Sequence, residues 1–286
     1  MMCSSPSPHA CRGQAKQIQF TLLQDGLCLC IAVAITLPDS GDLAQVVCGH
    51  FHSFARSVEG SAFAWGKNAN GQLGIGTVSV CEVSPIKILI NSQVKHVSAG
   101  GNHSCAVALM SPPNLFTFGM NANGQLGHDD QVDRCEPMPV NLLEDRLVVS
   151  ASCGLAHTVA VSKYGDVLVW GNGRSGQLGL YEGTDQDLCL PVQLPPFCHD
   201  HVVKVVCGDE ITLAVTEEQR VFLWGLESTM GLGATHAHDA ANPSGPKEVE
   251  GLTYVDSVAA GATHVIAIVS HVTAADYEDE TGELGN

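Results

Sequence analysis

A block of about 53 residues recurs along this 286-residue chain, and that period constrains the fold more than any other feature. WGKNANGQLG at 65–74 returns as FGMNANGQLG at 118–127, WGNGRSGQLG at 170–179 and WGLESTMGLG at 224–233. The leading aromatics Trp65, Phe118, Trp170 and Trp224 stand 53, 52 and 54 residues apart. A second landmark, Gly-x-x-His followed by Ser or Thr, runs in phase as CGHFHS at 48–53, AGGNHS at 99–104 and CGLAHT at 153–158. Two copies depart from it: CGDEIT at 207–212 has Ile211 for the histidine, and AGATHV at 260–265 has Val265 for the hydroxyl. A third landmark is proline, with Pro85, Pro139, Pro191 and Pro246 lying 20 to 22 residues after each aromatic.

Each unit reads as strands. HSCAVAL and HTVAVS cluster small, apolar and β-branched residues, as a buried strand does. A turn follows, VEG at 58–60 or KYG at 163–165, and then a second strand, NLFTF or DVLVW. The glycines of NGQLG mark another tight turn, and a last short strand follows the proline. No window carries sustained helical periodicity, and the period is too long for leucine-rich or ankyrin repeats. Four short strands per unit predict an all-β chain built as propeller blades.

The pairing of Gly-x-x-His-Ser/Thr with Trp-Gly-x-Asn-x-x-Gly-Gln-Leu-Gly resembles the repeat of the regulator of chromosome condensation family, over about residues 42–270. That resemblance implies blades of a seven-bladed β-propeller. Four periods separate Gly49 from Gly261, so the expectation here is four to five blades, incomplete relative to seven. Residues 1–17 are expected to be a disordered N-terminus and 271–286, with Asp276, Glu278, Asp279, Glu280 and Glu283, a solvated acidic tail. Residues 18–41 admit two readings. IQFTLLQDG aligns with HSFARSVEG as a degenerate partial blade, or the match is chance within an apolar stretch.

Composition removes several function classes. Acidic residues outnumber basic ones 30 to 13 for a net charge of −17, and no basic run exists, so nucleic acid is not an expected partner. The longest apolar candidate, Leu27–Leu37, is too short to span a bilayer, and no membrane role is expected. Cys48, Cys153 and Cys207 occupy a repeat position filled elsewhere by Ala99 and Ala260, which reads as a small buried site in a reduced cytoplasmic or nuclear protein. Cys198, His199, Asp200 and His201, like His236 with His238, lack zinc-site spacing and read as polar loops; no metal or cofactor is expected. No nucleophile elbow, phosphate loop or His-Glu-x-x-His occurs, and no catalytic residue is assigned.

One histidine per repeat points to structure: His52, His103, His157 and His264 are expected to be buried, each with the same hydrogen-bond partner. Trp65, Phe118, Trp170 and Trp224 are expected to fill the space between blades. In the exchange factor that names the family, acidic and histidine residues in the Gly-x-x-His turns face the small GTPase Ran. The resemblance therefore implies candidate partner contacts at His50, Asn102, Asp209 and Glu210, of which only the last two supply acid. The repeat bearing them has also lost its histidine and has Met230 for the usual glutamine, which reads either as decay or as a partner site.

The expected function is a non-catalytic protein-interaction scaffold. An exchange factor for a Ran-like GTPase is the alternative, opposed by the missing blades, the sparse acid and the lack of a wedge insertion. A fragment of a larger ubiquitin ligase or kinase-associated regulator is the third reading, because such repeats often accompany catalytic domains.

Overall fold

The computed structural model describes residue 37 and residues 42–180, 186–196, 198–225, 245–252, 254–262 and 264–269. The segments 1–17 and 271–286, nearly all of 18–41, and the turn with Met230, His236 and His238 lie outside the described residues. The rest is β structure, with one 3-10 turn at Asn141–Leu143. β1 (Leu43–Cys48), β2 (His52–Ser57), β3 (Ala62–Asn68) and β4 (Ser79–Lys87) form the first antiparallel meander in chain order. The second holds β5 (Val94–Ala99), β6 (His103–Ala108), β7 (Leu115–Gly119) and β8 (Arg134–Pro139). The third holds β9 (Val148–Cys153), β10 (His157–Ser162), β11 (Val167–Gly171) and β12 (Leu188–Gln193). The fourth holds β13 (Val202–Cys207), β14 (Ile211–Thr216), β15 (Val221–Gly225) and β16 (Lys247–Glu248). β17 (Val255–Ala260) and β18 (Val265–Val269) make a two-stranded fifth sheet. Four full blades and part of a fifth thus form an open, incomplete propeller.

Blades 2–4 have two apolar faces because their strands are sandwiched between neighbours. Ala160, Leu168 and Trp170 of blade 3 pack back onto Cys105, Val107 and Leu115 of blade 2. Val159, Val161 and Val169, on the opposite face, pack forward onto Ala214, Phe222 and Trp224 of blade 4. The signature aromatics of blades 2–4 therefore face the preceding blade, and in all four blades the aromatic stands opposite the hydroxyl residue of the neighbouring strand: Ser53 with Trp65, Ser104 with Phe118, Thr158 with Trp170, Thr212 with Trp224. All four aromatics are buried. Prolines 85, 139 and 191 lie on the outermost strands, where a missing N–H costs no ladder bond.

The turn of each blade docks on the aromatic of the next. Gly179 has φ of 67° and lies so close that a Cβ there would sit 2.9 Å from Trp224 Cδ1 and Nε1. Side chains of one blade also satisfy the free edge of the next innermost strand: Ser98 Oγ accepts from Cys153 N at 3.0 Å, and Ser152 Oγ from Cys207 N at 2.9 Å.

Two expectations fail at the ends of the arc. Cys153 and Cys207 are buried, but Cys48 is exposed, because no described blade precedes β1 to cover it. His264 is exposed for the converse reason, since no described blade follows the fifth sheet.

Candidate functional site

The five turns that begin at Gly49, Gly100, Gly154, Gly208 and Gly261 converge at one end of the innermost strands. They surround a cavity of about 190 Å³ lined by Gly49, Gly100, Gly154, Gly208 and Gly261, with His50 and Asp209 at its edge. Backbone bonds lace the turns together: His50 N–H donates to Gly100 O at 3.2 Å, Gly101 to Gly154 O at 3.1 Å, and Leu155 to Asp209 O at 2.9 Å.

Behind the turns runs a repeated circuit between blades. His52 Nε2 lies 2.8 Å from Ser104 Oγ, His103 Nε2 3.0 Å from Thr158 Oγ1, and His157 Nε2 2.9 Å from Thr212 Oγ1. Each hydroxyl donates onward to a turn carbonyl, of Gln72, Gln125 and Gln177 respectively. A hydroxyl that donates its proton must accept from the ring, so Nε2 carries the hydrogen and Nδ1 is bare. Those Nδ1 atoms are buried without a partner. They lie over the turn glycine, where at Gly154 a Cβ would collide with the His157 ring. Trp170 Nε1–H and Trp224 Nε1–H donate to the same Gln125 and Gln177 carbonyls, which thereby take two donors each.

Burial holds these imidazoles neutral. It pulls His52 down to about 3, and the cationic Lys67 nearby adds to the effect. Burial likewise lowers His103 to about 4 and His157 to about 3. Protons will not be exchanged here at neutral pH, so the circuit is a fixed framework that holds the turns.

The departures in the last two repeats form a matched pair. Ile211 occupies the histidine position of blade 4, and Val265 the hydroxyl position of the fifth sheet; the two belong to one apolar cluster. A polar pair has been exchanged for an apolar pair across one interface, which leaves no orphaned group. One repeat's loss is explained by the next repeat's loss, a relation hidden while each was read within its own repeat.

Two of the four candidate contacts meet. His50 Nε2 lies 2.7 Å from Asp209 Oδ1, linking blade 1 to blade 4 across the cavity. Asn102 stands apart from that pair, accepting from Lys67 Nζ at 3.1 Å and from Gln72 Nε2 at 3.5 Å. Glu210 is half-buried, and its side chain has no hydrogen bond or ion pair among the described residues. Three rim residues were not among the candidate contacts: Phe51, 57% exposed, Lys67, whose ammonium lies 5.0 Å from the Phe51 ring centroid, and Leu155, 37% exposed. Phe51 and Leu155 occupy the variable turn positions, so an exposed apolar residue there was the available signal. Asp200 of the CHDH loop is engaged by Arg220, and the described residues contain no metal-binding group of three.

The model of the regulator of chromosome condensation (RCC1) repeat matches residues 59–107, 114–161 and 164–215, and a second RCC1 repeat model matches 43–72 and 148–177. The chain belongs to the RCC1 repeat family. Among curated relatives of this RCC1-repeat chain is the probable E3 ubiquitin-protein ligase HERC3 of Homo sapiens, 36% identical over 205 residues, 71% of this chain and 19% of the ligase. The chain spans about a fifth of the length of the first ligases it matches. Human WBSCR16 superposes with a TM-score of 0.73 at 23% identity, over 88% of this chain and 64% of WBSCR16. Prp20p of Saccharomyces cerevisiae, described with its binding to Gsp1p and histones, superposes with a TM-score of 0.70 at 20% identity, over 87% and 60%. At these identities the two structures establish the RCC1 propeller fold.

Proposed function

We propose that this chain is a non-catalytic RCC1-repeat scaffold that takes a protein partner on the rim of its Gly-x-x-His turns. The observation that carries the reading is the rim itself. Asp209 and Glu210 lie on the same ring of turns as the exposed Phe51 and Leu155, held in place by the buried histidine circuit. Exposed aromatics beside charge, on loops set by a rigid scaffold, are what interfaces use as anchors. With a net charge of −17, the partner surface is basic around an apolar centre. The setting that goes with this reading is cytoplasmic or nuclear.

The test is affinity capture followed by mass spectrometry, run in parallel with the parent chain, Asp209→Ala/Glu210→Ala and Phe51→Ala. A specific partner should be lost from both variants, and its binding should weaken as salt rises. A partner retained by all three chains would place the contact elsewhere.

Exchange on a Ran-like GTPase is the second reading, favoured by the fold shared with Prp20p, which binds Gsp1p. Partial blades shrink the face available to a GTPase, and standard complexes bury about 800 Å² per partner. Release of labelled GDP from Ran should therefore be unchanged by micromolar chain, and acceleration by orders of magnitude would make this an exchange factor. Ubiquitin ligation, as the HERC3 relative's name describes, is not assigned to these repeats.

A further inference from the structure

The face of blade 1 turned away from blade 2 is buried, although no described blade lies against it. Strand register makes Ala55 and Phe63 equivalent to Ala106 and Phe116, Ala160 and Leu168, and Ala214 and Phe222. In blades 2–4 these residues and the signature aromatic pack on the preceding blade. In blade 1 Ala55 is fully buried, Phe63 is 1% exposed and Trp65 7%. Side chains stand off a sheet roughly at right angles, so strand neighbours alone do not hide a phenylalanine and an indole; a second layer does. The other end of the arc shows a bare face, where Ile266 and Ile268 are exposed.

The cover on blade 1 stops short of the innermost strand. Val46 pairs with Ala55 as the buried Val97, Ala151 and Val205 pair with their alanines, yet Val46 is 43% exposed, and Cys48 is exposed too. What hides Phe63 and Trp65 therefore lies over β2 and β3 and lacks an innermost strand.

The residues preceding β1 have that composition. When IQFTLLQDG at 18–26 is aligned with 52–60, Phe20, Leu22, Cys28 and Cys30 take the places of Phe54, Arg56, Ala62 and Ala64. Phe54, Ala62 and Ala64 are the residues that blade 1 packs onto blade 2. Gly26 takes the place of Gly60, whose φ of 87° favours glycine. Upstream, HACRGQ at 9–14 stands where β1 has LAQVVC, so the segment brings no apolar innermost strand. Downstream, residues 32–41 lead into β1. Ten extended residues reach about 33 Å, enough to return along a six-residue strand of about 20 Å. The acidic segment 271–286 follows the opposite end of the arc and is poor material for covering an apolar face.

We infer that residues 18–31 form a two-stranded hairpin docked on the outer face of blade 1, laying Phe20, Leu22, Cys28 and Cys30 over Ala55, Phe63 and Trp65. The chain thereby seals this end of the arc itself and leaves the fifth sheet as the end open to another chain. The surface is separate from the proposed partner rim and does not depend on it.

Trp170→Phe/Trp224→Phe leaves Trp65 as the one tryptophan, and Phe118 shows that phenylalanine fills that place in a blade. In this background, acrylamide quenching of Trp65 is compared between Phe20→Asp/Leu22→Asp and Gln19→Asp/Thr21→Asp, which alter opposite faces of one strand. The first pair should raise the quenching constant several-fold and shift the emission to the red, and the second should change neither. A second measurement needs no disruptive change: Phe20→benzoylphenylalanine in the full chain, photoactivated and mapped by mass spectrometry. Its crosslinks should fall on 52–57 and 62–68. Unchanged quenching in Phe20→Asp/Leu22→Asp, equal effects of the two pairs, or crosslinks confined to other segments overturns the inference.

Discussion

The histidine circuit makes unequal demands on its hydroxyls. Ser104→Ala would orphan His52 Nε2–H and also remove the hydroxyl donor from Gln72 O, because Phe118 has no N–H to replace it. Thr212→Val orphans only the His157 donor, since Trp224 Nε1–H still reaches Gln177 O at 3.0 Å. Each orphan costs about 1–3 kcal/mol, so Ser104→Ala should destabilise more than Thr212→Val in denaturant melts. The pair His157→Ile/Thr212→Val should cost less than its two single changes summed, because it reproduces the apolar arrangement of Ile211 packed with Val265. The circuit also fixes the pH response. His52, His103 and His157 are held at about 3, 4 and 3, below the ordinary 6.5 of an unfolded histidine. As pH falls below 6.5 the unfolded chain gains protons that the folded chain refuses. Stability present above 6.5 is therefore lost progressively as pH falls toward the folded values, by about 1.4 kcal/mol per pH unit for each histidine. The melting temperature should drop steeply from pH 6 to 4.5, and less steeply in His157→Ile/Thr212→Val. A flat profile would show the imidazoles to be solvated.

The turn and the aromatic are one device at the scale of the element. Gly179 and Gly251 both have positive φ, 67° and 78°, so alanine at either pays backbone strain of about 1–2 kcal/mol. Only Gly179 abuts a ring; nothing lies within 4 Å of a Cβ at Gly251. Gly179→Ala must displace Trp224 as well, adding about 1–3 kcal/mol. Equilibrium unfolding should therefore separate the two variants by that margin, and equal costs would mean the turn and Trp224 are not in contact. This device was half legible. The spacing of WGNGRSG and its glycines announced a tight turn, but its contact is the aromatic of the following unit, 45 residues beyond Gly179.

At the scale of the whole molecule, the arc has dissimilar ends. On the fifth sheet Ile266 and Ile268 are 59% and 60% exposed, on a strand with no described neighbour beyond it. Such a strand invites pairing with another chain. Ile266→Thr/Ile268→Thr should lower self-association in sedimentation velocity while leaving the thermal midpoint within a few degrees. Unchanged association would remove this edge as its cause.

The period, the strand order within a unit and the burial of Trp65, Phe118, Trp170 and Trp224 were written in the sequence, because each recurs with every repeat and follows from local patterning. The pairing of each histidine with the next unit's hydroxyl was present as the joint departure of Ile211 and Val265 from the repeat, but it needed the neighbouring blade to become readable. Tertiary structure alone decided the rest. His50 meets Asp209 from 159 residues away because the arc bends its turns around one axis. Cys48 and His264 carry the same signature as buried Cys153 and His157, yet they lie at the ends of the described arc and are exposed. A repeat motif specifies the face a residue presents, whereas burial requires a neighbour to cover that face, and whether one stands there is a property of the assembled chain.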